Sequence, residues 1–149
     1  MSSNFMMKKT LWETVSFNEK ITLYGHEDTL FQIELEKNGT DVQFIDNPVI
    51  HTGLNSNKVF LEKTRESIKN LHYLYNNKLI DNTEINRFAV LKTFKRIEKL
   101  KLNKLLKLFF PAVRAVFERN FSSKRPNLFF FSVYKLMYLS YLNFPAITS

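Results

Sequence analysis

The order of hydrophobic periodicities predicts an α/β unit followed by an all-α extension. Three observations carry that expectation. A helix-period run from His26 to Lys37 is followed at once by an alternating stretch, Asp41 to Asp46. Beyond about residue 57 every apolar pattern has helical spacing. Charge, finally, divides the chain at Asp81: residues 1–80 hold 9 Lys and Arg against 10 Asp and Glu, while residues 81–149 hold 13 against 4, net +9 within a total of +8.

From the N-terminus the coarse order is an extended segment and then a helix. Leu30, Phe31 and Leu35 then share a face, and Asn38-Gly39 ends the run, which marks a helix from about His26 to Lys37. Glu27 and Asp28 fall in its first turn, where free N–H groups and the positive dipole end favour ionised carboxylates by roughly 0.3–1 kcal/mol each. Acids in a first turn are common. A general base needs such a carboxylate within about 3 Å of the proton it takes, and Gly25 beside the pair leaves room for a substrate. Spacing alone leaves both readings open.

Val42 and Phe44 alternate with polar neighbours and predict a short strand over Asp41–Asp46. Asn47-Pro48 resets the chain into Val49-Ile50-His51 before Thr52-Gly53 turns it. His51 stands alone, without cysteine or a His-x-x-x-His pair, so a metal there would need ligands from elsewhere. The next helix is expected over about Asn57–Tyr75, with Phe60, Thr64, Ile68, Leu71 and Tyr75 on one side and a structural His72.

Asp81-Asn82-Thr83-Glu84 has the capping-box pattern that starts a further helix. Past it, Lys92, Lys95, Arg96 and Lys99 cluster opposite Leu91, Phe94 and Ile97. Leu102, Leu105, Leu106 and Phe109 continue an apolar arc, and Pro111 is expected to kink or restart the helix. After a break at residues 122–126 a last apolar helix runs from Leu128 to about Leu142. A basic amphipathic helix suits an anionic membrane surface, at roughly 1 kcal/mol per cation near the lipid. The same pattern also suits helices packed on the first half with a solvated lysine face. Nucleic acid is disfavoured, because few aromatics interleave with the basic residues.

Composition narrows the class. A chain of 149 residues forms one core; 15 Phe and only 3 Gly suggest bulky helical faces rather than a glycine-rich phosphate cradle. The absence of cysteine excludes disulfides and fits a cytoplasmic location, peripheral at the inner face of the membrane if the basic half meets lipid. No apolar run reaches ~18 residues, which argues against a spanning helix. No P-loop, Ser/His nucleophile constellation or internal repeat is present.

Three stretches together resemble the acceptor half of family 2 glycosyltransferases of the GT-A fold. NFMMKKTLWETVSFNEKI is similar to their segment entering a short helix and an acidic turn, here Phe17-Asn18-Glu19. Gly25-His26-Glu27-Asp28 resembles their acidic motif, and IDNPVIHTGL their strand and histidine turn. The resemblance implies a partial Rossmann-like α/β domain over residues 1–80, an all-α extension over 81–149, and an absent nucleotide-binding half. It implies Asp28 as catalytic base, Glu27 as the acid that contacts acceptor or holds the loop, Gly25 and His26 at the acceptor, and His51 as ligand to a divalent metal (Mn or Mg). The donor would be a nucleotide-diphospho-sugar and the acceptor a glycan or lipid-linked hydroxyl, in polysaccharide or glycan biosynthesis. The family's metal- and phosphate-gripping D-x-D is missing here, so the chain is expected to be incomplete alone and to need an N-terminal half. The competing class is a non-enzymatic helical module, for a membrane surface or a partner, that keeps a relic of the catalytic domain.

Overall fold

The computed structural model describes residues 4–18, 21–43, 45–50, 52–53 and 55–142. Six α-helices follow one another: α1 (Lys9–Thr14), α2 (Glu27–Lys37), α3 (Asn57–Asn76), α4 (Ala89–Lys99), α5 (Asn103–Phe121) and α6 (Leu128–Leu142), with a 3₁₀ turn at Ile85–Arg87. The local signals explain most of the boundaries. Ser56 caps α3 by accepting the Val59 N–H at 3.4 Å. Gly39, at φ 68°, closes α2, with its own N–H on Glu36 O and the Thr40 N–H on Leu35 O, both at 3.0 Å. The same closing geometry recurs after α3 and α4, where Lys78 (φ 57°) and Lys101 (φ 58°) take the left-handed position usually given to glycine.

The core is one cluster. Leu30 and Ile33 of α2 join Ile68, Leu71 and Leu74 of α3, Leu91 and Phe94 of α4, and Phe110 of α5 around Tyr134 and Leu139 of α6. Helix α6 is apolar nearly all round, and it lies against α3, α4 and α5. The buried side of α3 is Leu61, Thr64, Ile68, Asn70, Leu71 and Leu74. It is therefore turned from the expected stripe, and Phe60 is exposed.

Polar ties cross the helices as well. Lys37 at the end of α2 reaches Asp81 (3.4 Å) and Glu84 (3.2 Å), and Arg87 pairs with Glu36. Glu84 also accepts the Asp81 N–H at 3.0 Å, so the capping-box contact forms, though it opens a turn and a 3₁₀ segment before α4. Glu118 of α5 gathers Arg65 of α3, Arg114 (2.7 Å) and the Tyr134 hydroxyl (3.2 Å).

The expected α/β unit is overturned: among the described residues every element is helical and there is no strand, so the first half is not a partial Rossmann-like GT-A sheet. The physical reason is partnership. A strand satisfies its backbone only against another strand, and Asp41–Val42–Gln43 and Ile45–Asp46 have none; Phe44 lies outside the described residues. Ile45, Val49 and Ile50 are exposed instead of covered by a second layer. Pro111 does not restart the helix, since α5 runs through it. Its ring lies on the exposed side, where water can satisfy the carbonyl that loses its N–H partner.

Candidate functional site

Two short-range features place the acids. Gly25 adopts φ 95° and His26 φ 73°, a pair of left-handed residues that swings the chain into the first turn of α2. This turn is held from α3. Asn70, fully buried, donates its side-chain amide to Gly25 O and, at 3.4 Å, to Leu23 O. Ser67 Oγ lies 3.0 Å from His26 Nε2, and the His26 ring meets Phe88 edge-on at 5.4 Å. Burial pushes the His26 pKa down to about 4; the Ser67 hydrogen bond opposes the shift and the nearby Lys135 charge adds to it. His26 is therefore a neutral, packed imidazole.

Glu27 and Asp28 each keep one carboxylate oxygen, Glu27 Oε2 and Asp28 Oδ1, out of contact with solvent. Glu27 Oε2 is buried and accepts no hydrogen bond among the described residues. Asp28 lines a cleft of about 1130 Å³ between α2 and residues 4–8, 40–43, 45 and 47. Its walls are largely apolar, with Phe5, Leu11, Phe17, Phe31 and Leu35, and among the polar residues set between them are Lys8, Asp28, Asp41, Gln32, Gln43 and Asn47. Phe17 stacks on Phe31 at 4.3 Å between centroids, and Trp12 meets both rings near 6 Å. The cleft is thus an aromatic-backed trough with a carboxylate at a helix N-terminus. The positive end of the α2 dipole favours a carboxylate at this position.

Of the residues singled out from sequence, Asp28 lines this cleft, whereas Gly25 and His26 are engaged with α3 and hold the loop. His51 lies outside the described residues. Among those described, no three His, Asp or Glu side chains converge, so they do not by themselves build a site for the divalent cation that the resemblance implies. Lys92, Lys95, Arg96 and Lys99 lie on α4, remote in sequence from the cleft. Lys95 is occupied: it pairs with Glu98 at 2.7 Å and sits over the Tyr75 ring and hydroxyl. The sequence reading missed Ser67 and Asn70. The signal was there in Asn70, a polar residue between Ile68 and Leu71 on a buried face. Compared with known proteins, the chain matches no protein-family model, no curated protein and no solved structure.

Proposed function

We propose that this chain is the acceptor-side portion of a glycosyltransferase, with Asp28 as the general base. The observation that supports the reading is the placement of Asp28 in an aromatic-walled cleft, at the N-terminus of α2, directly after the Gly25-His26 turn. Aromatic faces suit the apolar faces of a sugar ring, and Gln32 and Asn47 offer hydrogen bonds to hydroxyls. In the proposed step Asp28 takes the proton of an acceptor hydroxyl as its oxygen bonds to the anomeric carbon of a nucleotide-diphospho-sugar. The bond from that carbon to the diphosphate breaks, and the diphosphate leaves with the electron pair. The donor would be presented by a companion N-terminal half.

The test has two arms. Trp12, the one tryptophan of the chain, touches the cleft wall through Phe17 and Phe31, so its fluorescence should report mono- and disaccharides entering the cleft. In the polypeptide joined to its donor-binding half, Asp28→Asn should lower turnover by roughly 10²–10⁴ while leaving helicity intact. Near-normal turnover in that variant would remove Asp28 as base.

A further inference from the structure

Helix α5 carries two apolar faces, and the fold uses only one. Phe110 and Phe121 are buried against the rest of the bundle, with Leu106, Val113 and Phe117 packed beside them. On an adjacent side, positions 105, 109, 112 and 116 recur at the spacing of a single helical face. Leu105 is 50% exposed, Phe109 51% and Val116 66%, with Leu108 at 72% alongside. Where α5 hands over to α6, Leu128 and Phe129 are also exposed, at 78% and 70%. Large apolar side chains left exposed along one helix face mark an interaction surface more often than an ordinary solvent face.

The charges around this strip are of one sign. Between residues 101 and 125 there are seven Lys and Arg and a single acid, Glu118, which is already paired with Arg65 and Arg114. Lys101 lies one turn before Leu105, Lys104 one turn before Leu108, and Arg119 one turn beyond Val116; all three are exposed. We infer that this face of α5 docks onto an anionic lipid surface. It would lie in the plane of the interface with Leu105, Leu108, Phe109 and Val116 in the acyl boundary and the cations at the headgroups. The proposal stands apart from the glycosyl-transfer reading, because it uses none of the cleft residues.

Charge also decides against the other occupants. A second copy of the chain, related by a twofold axis, would bring two such basic borders together without acids to offset them. Spanning is excluded for the described helices, none of which is long and apolar enough. Helix α4, whose lysines first suggested a membrane role, is the lesser contributor: Leu91 and Phe94 are fully buried, so it has no apolar side left to insert.

The experiment is co-sedimentation of the full chain with phosphatidylcholine vesicles, with and without phosphatidylglycerol, at low and physiological salt. Wild type should pellet with the anionic vesicles only, and less as salt rises. Leu108→Ser with Phe109→Ser should lower the bound fraction roughly tenfold with an unchanged circular-dichroism spectrum. Lys101→Gln with Lys104→Gln, which touches no apolar surface, should also weaken binding. Changing Lys92, Arg96 and Lys99 to Gln should weaken it less than the α5 serine pair does. The proposal is overturned if the serine pair binds like wild type, if the α4 change alone abolishes binding, or if wild type ignores anionic vesicles at low salt. In that last case, sedimentation equilibrium showing self-association lost in the serine pair would assign the face to a second copy instead.

Discussion

Gly25 has no freedom to become anything else. A Cβ there would lie 2.7 Å from Ser67 Oγ, on a backbone at φ 95° that L-residues avoid. Ser67 cannot withdraw without giving up His26. Gly25→Ala should therefore cost about 1–3 kcal/mol in urea unfolding, and it should disturb the Asp28 turn more than the core. His26 beside it makes a pH-dependent prediction. Its folded pKa, about 4, lies below the ordinary 6.5, so the unfolded chain binds the extra proton between those values. Stability then rises with pH from about 4 to 6.5 and levels off above, by up to about 3 kcal/mol from this group. His26→Asn tolerates the left-handed backbone but cannot titrate. Urea midpoints measured from pH 4 to 8 should show wild type losing stability on acidification relative to the variant; parallel curves would mean that the imidazole is not buried neutral.

Helix ends and helix ties are the next level. Lys78 holds a left-handed backbone at an exposed α3 terminus, where its Cβ is a liability and nothing compensates in packing. Lys78→Gly should raise stability by about 0.5–1 kcal/mol, read as a shift of the urea midpoint with unchanged slope. Tyr134 is the reverse case: its ring is fully buried in α6 and its hydroxyl accepts from Arg65 Nε at 3.0 Å while donating to Glu118. Tyr134→Phe keeps the packing and should cost about 1 kcal/mol by the same measurement. The helices themselves were legible in the sequence because their signals are local. Asn38-Gly39 ends α2 as its composition suggests, and the Leu128-to-Leu142 run is helical from end to end. The strand over 41–46 was not decidable that way, because alternation describes a segment's own faces and says nothing about whether a second strand stands beside it. Pro111 does not end α5 for a related reason: the cost of a missing N–H depends on whether the orphaned carbonyl reaches water.

On the scale of the molecule, charge and core divide differently. The acidic-to-basic change at Asp81 is real at the surface, yet the core cluster draws on α2 and α3 before it and on α4, α5 and α6 after it. A polypeptide ending at Ile80 would leave Leu71 and Leu74 without α6 to cover them. It should therefore show weak helicity and no cooperative thermal transition, whereas the full chain should melt as one unit. The site follows the same logic. The sequence could place two carboxylates at a helix start next to a glycine, because capping, dipole and turn chemistry act over a few residues. It could not tell that Asp28 would line the cleft while His26 turned to α3, since the facing walls come from residues 4–8, 11, 17, 40–43, 45 and 47 and the anchors from Ser67 and Asn70. Nor could it choose between α4 and α5 as the outward apolar face. Both helices are amphipathic and basic on inspection; burial of Leu91 and Phe94 under α6, and exposure of Leu108 and Phe109, were decided only when the helices competed for the same core.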